Sequence, residues 1–258
     1  MESIDISSTT LLMLLLVGLL SGFIDSVAGG GGLLALPALL FVGLPPQVAL
    51  GTNKLQGSFG TLSAGWNFIS KKQVSLGKAM PGILFTLIGA STGALLVQSL
   101  DPAFIEPLIP PLLLLVFFYT LFSRQLGRKD NPAKIKPSRF FILFGLLLGF
   151  YDGFFGPGTG SFWTVAFMFF AGFNMTRATG YTKIMNFTSN IVALTWFIMG
   201  GNIIWSIGLT MAAGQIIGAR IGSGMAIRKG AAFIRPLFLT VVFLTIIRLA
   251  YINFFSAT

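Results

Sequence analysis

TTLLMLLLVGLLSGFIDSVAGGGG, residues 9–32, decides how the whole sequence is interpreted. Its apolar part, residues 9–28, contains Asp25 as its single charged side chain. As a helix it is long enough to cross about 30 Å of hydrocarbon. Only Glu2 and Asp5 precede it as charges, whereas a removed signal peptide would begin with basic residues. The stretch therefore predicts a membrane helix that ends in a run of glycines.

The composition of the chain agrees with a membrane environment. Of the 258 residues, 54% are hydrophobic and 9% are charged, whereas an ordinary soluble domain has roughly 25% charged residues. The net charge is +10, but the basic residues lie at the ends of apolar segments, as they do in cytoplasmic loops of membrane proteins. We therefore predict the lipid bilayer as a partner and no nucleic acid.

Two residue types that carry much of enzyme chemistry are missing. The sequence contains no cysteine and no histidine, which excludes disulfides, thiol and imidazole catalysis and the usual zinc and haem ligands. It also contains no Walker-type phosphate-binding motif. We predict no metal, no cofactor and no enzymatic activity, and any proton coupling would have to use Asp, Glu, Lys or water.

The apolar segments fall into two groups of five. They cover residues 9–28, 33–43, 47–70, 79–99 and 103–123, and then 139–156, 160–172, 176–199, 204–226 and 232–255. The polar, basic stretch between the groups predicts a cytoplasmic linker by the positive-inside rule. The predicted organisation is a first membrane repeat at 1–123, a linker at 124–138 and a second membrane repeat at 139–258, with both termini outside.

The two groups are related in sequence. The motif AFIxPL at residues 103–108 recurs at residues 232–237, an offset of 129 (232 − 103), and the same offset aligns Lys54 with Lys183. Because the first half begins outside and the second inside, the repeats would be inverted, as in many secondary transporters. The predicted fold is an all-α integral membrane protein. It is a polytopic helical bundle of two inverted-topology repeats with about 8–10 membrane segments, including broken or re-entrant short helices.

Two of the segments, 33–43 and 160–172, are short, and each follows a glycine-rich break. Short, glycine-interrupted segments at matching positions of two halves indicate a transport site. Glycine lets the backbone approach a ligand, and the N-H groups at the next helix start attract an anion. The glycines predicted to bind substrate are Gly30, Gly31, Gly32, Gly156 and Gly158. The alternative is that they only permit close helix packing.

The next segment of each half contains a lysine, Lys54 or Lys183, among apolar and small polar residues. A charge inside a membrane helix costs at least about 2.5 to 3.5 kcal/mol, so it requires a partner or a water-filled cavity. Two such lysines meeting near the midplane would form an anion site. The neutral hydrogen-bonding groups predicted to assist them are Asn53, Gln56, Thr182, Asn186 and Asn190.

Asp25 and Asp152, which match at an offset of 127 (152 − 25), allow another interpretation of the lysines. Lys54 would pair with Asp25 and Lys183 with Asp152, forming two salt bridges that fix the packing and bind nothing. In an intermediate hypothesis, protonation of an aspartate releases its lysine to the substrate and so couples proton and anion movement.

The motifs resemble those of the sulfite exporter TauE/SafE family, also called the TSUP transporters. The resemblance covers nearly the whole chain and is carried by residues 22–34, 51–56, 149–157, 183–190 and 214–223. It implies movement of sulfur-containing anions, such as sulfite, thiosulfate or organosulfonates, across the bacterial cytoplasmic membrane, often outward. The second glycine run, residues 156–160, is less glycine-rich than the first. The two glycine breaks and the short segments after them therefore need not contribute equally to the transport site.

The function predicted from these observations is a secondary transporter of small sulfur-containing anions, operating by export with proton coupling. A passive anion channel is an alternative, and saturable, steeply pH-dependent uptake would argue against it. A membrane-embedded enzyme is a further alternative, but it would require a catalytic pair facing a lipid substrate, and the sequence contains none.

Overall fold

The computed structural model describes residues 7–105, 111 and 129–230, and every regular element in this part of the chain is a helix. The helices are α1 (Ser8–Ala28), α2 (Gly32–Phe41), α3 (Pro46–Ser70), α4 (Leu76–Ser99), α5 (Pro102–Ile105), α6 (Pro137–Phe154), α7 (Thr159–Phe169), α8 (Met175–Met199) and α9 (Trp205–Lys229). Most of the predicted segment 103–123 and all of segment 232–255 lie outside the described residues. The all-helical fold class is confirmed.

Local signals explain where these helices begin and end. Ser7 accepts a hydrogen bond from the backbone N-H of Thr10, and Asn174 does the same for Arg177, so α1 and α8 begin with capped N-H groups. Proline, whose missing N-H is harmless there, occupies the first turn of α3 and α6. Gly29 ends α1 in the left-handed conformation at φ +79°.

The exposed surface of the bundle is apolar, whereas its long helices bury polar side chains. Among the described helices, α1 and α4 are long and apolar enough to cross a membrane by length and composition, and α2 is a shorter apolar helix of 10 residues. The buried polar residues belong mainly to α3 and α8. The count of membrane segments and their inverted orientation stay predictions.

Two pairs of helices pack in parallel along rows of glycine. Gly18 of α1 faces Met211 of α9 and Gly22 faces Gln215, an equal offset of 193 residues. In the same way Gly89 and Gly93 of α4 face residues 150 and 154 of α6, at an offset of 61. A Cβ on any of these glycines would overlap the neighbouring backbone, so the glycines bring the helices close together.

Helices α3 and α8 cross the centre of the bundle in antiparallel directions. Gly51 lies against Phe197, Gly57 against Asn190 and Gly65 against Ile184. Residue numbers in α8 therefore decrease along the contact as residue numbers in α3 increase. Helix α3 also contacts α9, and α8 contacts α4. Exchanging the two halves maps these pairs onto each other, and it also maps α1·α9 onto α6·α4. This pattern agrees with two repeats, although the division at 124–138 stays a prediction.

A polar layer separates two hydrophobic clusters. One cluster surrounds α2 and the first turns of α3, including Leu39, Leu50 and Phe197. The other surrounds α7 and includes Phe68 and Phe167. Helices α3 and α8 run through both clusters, and residues 56–67 and 186–192 between them carry glycine and polar side chains, many of them buried.

Candidate functional site

Lys54 is buried in an ion pair with the other half of the chain. Its side chain is 1% exposed, and its Nζ lies 2.6 Å from Oδ1 of Asp152 on α6. The ammonium also donates to the backbone carbonyl of Asp152. The second carboxylate oxygen, Oδ2, accepts the hydroxyl of Ser189 on α8. Both oxygens of Asp152 therefore have a donor, as a buried carboxylate requires.

Lys183 forms the equivalent pair with Asp25. Its Nζ lies 2.9 Å from Oδ2 of Asp25, and the two side chains are 0% and 17% exposed. The ammonium again donates to the backbone carbonyl of its partner. Asp25 is therefore the more accessible of the two carboxylates.

The predicted pairing of the ion pairs is wrong. In the salt-bridge alternative, Lys54 would pair with Asp25 and Lys183 with Asp152, within each half, whereas in the structure each lysine pairs with the aspartate of the other half. Each aspartate lies near the end of its helix, just before a glycine break, and the two breaks meet at the centre. Because the two breaks cross, each aspartate lies beside the lysine of the opposite half.

The meeting of the two breaks depends on glycine. A Cβ on Gly160 would lie 2.6 Å from Cα of Gly29, and a Cβ on Gly32 would lie 3.1 Å from Cα of Pro157. The hydroxyl of Ser161 donates to the carbonyl of Ala28 at 3.1 Å. These contacts confirm that both helices are broken at the predicted glycines and leave no room there for larger residues.

Gly156 and Gly158 shape the side of the site next to Lys54. Their φ angles are +101° and +83°, a region that favours glycine. A Cβ on Gly156 would lie 2.6 Å from Nζ of Lys54. Gly158 is the residue just before α7, so the start of this helix is directed at the same place.

A cavity of about 40 Å³ lies at this crossing. A polar cavity of this kind has room for water. The predicted residues that line it are Asp25, Gly32, Asn53, Lys54, Gln56, Asp152, Gly156, Gly158, Asn186 and Asn190. It is also lined by residues that we did not predict, namely Gly29, Gly57, Thr61, Gly160 and Gln215.

Four predicted residues do not line the cavity: Gly30, Gly31, Thr182 and Lys183. Thr182 instead lies with its hydroxyl 3.1 Å from that of Thr164, where α7 packs on α8. The carbonyl of Gly31 accepts the hydroxyl of Ser21 at 2.7 Å. These groups serve packing between helices.

The predicted meeting of the two lysines is also wrong. Lys183 lies level with Gly65 of α3, eleven residues beyond Lys54, which is about 16 Å along a helix. The antiparallel crossing of α3 and α8 places the two lysines on opposite sides of the polar layer. Lys54 contacts the cavity directly, whereas Lys183 reaches it only through Asp25.

Two side-chain oxygens at the cavity have no hydrogen-bond partner among the described residues, Oε1 of Gln56 and Oδ1 of Asn186. Buried polar atoms are nearly always paired, so these two indicate a place for water or a ligand. A terminal amide offers either an oxygen acceptor or an NH₂ donor, depending on its rotation. In the described part of the chain, no three acidic residues are grouped to hold a metal ion.

Gln215 of α9 is the main residue that the sequence analysis missed. Its Nε2 donates to the hydroxyl of Ser21 at 3.1 Å. A Cβ on Gly22 would lie 2.7 Å from its Oε1, so glycine at that position makes room for the amide. A single glutamine inside an apolar, glycine-rich helix is the signal that could have identified it.

Nearly the whole chain is similar to known proteins. The family model described as Sulfite exporter TauE/SafE matches residues 14–249. A protein of Haemophilus influenzae named Probable membrane transporter protein is 43% identical over 96% of this chain and 97% of its own length. Probable membrane transporter protein YfcA of Escherichia coli K12 is 44% identical, over 92% and 88%.

A more distant relative, Probable membrane transporter protein YunE of Bacillus subtilis, is 24% identical over 83% of this chain and 87% of its own. No solved structure matches. The family model spans the residues of both ion pairs and both glycine breaks, and the first two relatives cover 96% and 92% of the chain. The protein is therefore a membrane transporter that belongs to the sulfite exporter TauE/SafE family.

Proposed function

We propose that this protein is a secondary transporter that exports small sulfur-containing oxyanions, of the sulfite, thiosulfate or organosulfonate type, across the bacterial cytoplasmic membrane. The observation that carries the proposal is the polar cavity where the two glycine breaks meet, with Lys54 at its wall and the amide residues Asn53, Gln56 and Asn186 among its lining. The description of the family model as a sulfite exporter supports this class of substrate.

The groups around the cavity suit a compact oxyanion. Lys54 supplies a positive charge. The NH₂ groups of Asn53 and Asn186 can donate to the anion, whereas that of Gln56 donates to Oδ1 of Asn53 at 2.7 Å. The first turns of α2 and α7 begin beside the cavity, and helix N-termini favour anions. The cavity is small, about 40 Å³, so a larger organosulfonate would require it to widen.

Asp152 competes with the substrate for Lys54, and this competition provides a mechanism for coupling. A proton on Asp152 removes its negative charge, and the ammonium of Lys54 then turns to the oxyanion, so that proton and anion move together. When one proton crosses together with a divalent anion, the two together carry a net negative charge. An inside-negative potential then favours export by about 2.3 kcal/mol per 100 mV for each charge.

We propose an orientation with the basic helix ends in the cytoplasm. Lys71 and Lys72 follow α3, and Arg228 and Lys229 end α9, so these two helix ends would lie on the cytoplasmic side. Because α1 runs parallel to α9, the N-terminus would then lie outside, and the repeat relation would place the C-terminus outside as well.

A passive anion channel is the alternative to be tested. The purified protein would be reconstituted in vesicles loaded with sulfite, thiosulfate, taurine or sulfate, and efflux measured under imposed pH gradients and potentials. We expect saturable efflux of a sulfur oxyanion that responds to the pH gradient, and its loss in Lys54→Met. The matched control is Lys78→Met, which changes an exposed lysine. Non-saturating efflux that ignores the pH gradient would support a channel.

A further inference from the structure

A second cleft, of about 460 Å³, lies between the C-terminal ends of α3 and α9. Its polar side chains are Asn67, Lys71, Arg220 and Arg228, and its apolar walls include Ile221 and Met225. We propose that this cleft binds the headgroup of an anionic phospholipid, with the acyl chains on the adjoining apolar surface. The proposal is independent of the transported substrate.

The cleft has an unbalanced positive charge. Lys71, Arg220 and Arg228 line it, and no acidic residue does so among the described residues. The ion pairs of the described chain use Lys54, Arg177 and Lys183, so none of the three cleft cations is neutralised by a described carboxylate. A phosphodiester would supply the missing charge.

The position of Arg220 favours a lipid over a dissolved anion. It lies on α9 beside Ile217 and Ile221, whose side chains are 51% and 50% exposed on the apolar surface of the bundle. Helix α9 continues for nine residues to Lys229, which is about 13 Å. Arg220 and Arg228 line the same cleft, and an arginine on an apolar surface can extend its guanidinium to lipid headgroups.

The inner end of the cleft is closed toward the transport cavity. Asn67 and Ser223 are both buried, and Nδ2 of Asn67 donates to the hydroxyl of Ser223 at 2.8 Å. The two residues join α3 to α9 between the cleft and the level of Thr61, which lines the cavity. The cleft and the cavity share no lining residue, and Ile221, which is 50% exposed, joins the cleft to the apolar surface.

The repeat relation shows that the charge is specific to one end of the protein. At the offset of 129, Arg220 corresponds to Ser91, Arg228 to Ser99 and Lys71 to Gly200. All three equivalent positions are uncharged, although the helices around them pack in the equivalent way. The cleft would therefore select anionic lipid in the leaflet on the side of Lys71 and Arg228.

Lipid titration of the detergent-solubilised full-length protein, followed by native mass spectrometry and thermal unfolding, tests the proposal. Phosphatidylglycerol should bind and stabilise the protein, whereas phosphatidylcholine should not. A variant with Lys71→Gln, Arg220→Gln and Arg228→Gln should bind phosphatidylglycerol on the order of a hundredfold more weakly. Lys78→Gln, which changes an exposed lysine outside the cleft, should bind it as the wild type does.

The outcomes separate lipid from other anions. Equal stabilisation by inorganic phosphate or sulfite, lost in the same triple variant, would identify a site for free anions and overturn the lipid proposal. Undiminished phosphatidylglycerol binding by the triple variant would also overturn it. If the triple variant is unfolded without lipid, the single substitution Arg228→Gln at the exposed helix end gives the same comparison, with an expected loss of about fivefold.

Discussion

At the scale of single residues, Lys54 and Asp152 form a buried ion pair in which each charge compensates the other. Removing one partner of a buried pair leaves an uncompensated charge and typically costs about 3 to 5 kcal/mol, whereas an apolar replacement of both is often neutral. Ser189 would keep hydrogen bonds to the carbonyls of Met185 and Asn186 if Asp152 were removed. Stability and anion binding can therefore be separated at this pair.

We expect Lys54→Met to lower the free energy of unfolding by several kcal/mol. The double variant Lys54→Met with Asp152→Leu should recover most of that stability, because no buried charge is left unpaired. Transport should be absent in both. Thermal unfolding in detergent and vesicle efflux measure the two properties. Efflux restored along with stability would mean that the pair has only a structural role.

Gly156 and Gly43 allow a comparison of two alanine substitutions that strain the backbone to a similar extent. Ala at Gly156 and at Gly43 would both be strained, since the φ angles are +101° and +88°, by roughly 1 to 3 kcal/mol. Only at Gly156 would the new Cβ meet Lys54, whereas Gly43 has open space around it. We expect Gly156→Ala to weaken anion binding at least about tenfold and Gly43→Ala to leave it unchanged. Equal effects on binding would contradict this assignment.

At the scale of elements, the close parallel packing of α1 on α9 depends on glycine. A Cβ on Gly218 would overlap the carbonyl oxygen of Leu19 and lie 2.8 Å from the backbone N of Phe23. Backbone cannot move aside as a flexible side chain can. On the same helix, a Cβ on Gly224 would have only Asn67 nearby, at 3.8 Å.

We therefore expect Gly218→Ala to destabilise the protein by about 1 to 3 kcal/mol through overpacking. Gly224→Ala should be neutral, or stabilising by up to about 1 kcal/mol, because alanine is the better helix former. Thermal unfolding of the two variants side by side checks the prediction. A Gly218→Ala variant as stable as the wild type would show that α1 and α9 are less closely packed.

The sequence was sufficient to predict these helices because each is a run of mostly apolar residues bounded by polar or glycine-rich residues. The predicted segments 33–43 and 176–199 correspond to Gly32–Phe41 and Met175–Met199. The partners of the ion pairs were not predictable in this way. Lys54 and Asp152 are 98 residues apart in sequence, and their pairing depends on how two distant glycine breaks cross.

The candidate site could likewise be predicted in part. The charged and amide residues around Lys54 were identified because polar groups are costly in a membrane segment. Gln215 was missed because its hydrogen-bond partner Ser21 lies 194 residues away. The predicted convergence of the lysines failed because the antiparallel register of α3 and α8 becomes apparent only after folding.

At the scale of the whole molecule, the polar layer has an ion pair toward each side, and each pair joins the two halves. The backbone of Lys183 lies level with Gly65, eleven residues or about 16 Å along α3 from Lys54, and both aspartates line the cavity. We propose a transport cycle in which one pair opens while the other stays closed, so that the cavity is exposed to one side of the membrane at a time.

This cycle predicts that bound substrate limits access to the cavity. Because the chain has no cysteine, a single Asn190→Cys substitution introduces a unique thiol at the cavity. We expect a membrane-impermeant thiol reagent to modify it slowly, and more slowly still when the transported anion is present. Lys72→Cys, in an exposed turn, should react quickly with or without the anion. No protection by any sulfur oxyanion would contradict binding at Asn190.

The most direct test of the central claim is thermal stabilisation of the purified protein by sulfite, thiosulfate, taurine, sulfoacetate, sulfate and simple carboxylates. A ligand at a hundredfold excess over its dissociation constant stabilises the folded state by about 2.7 kcal/mol. We predict that a sulfur oxyanion stabilises the wild type and Gly43→Ala but not the double variant Lys54→Met with Asp152→Leu. Stabilisation by none of these anions, or equal stabilisation of the double variant, would contradict an anion site beside Lys54.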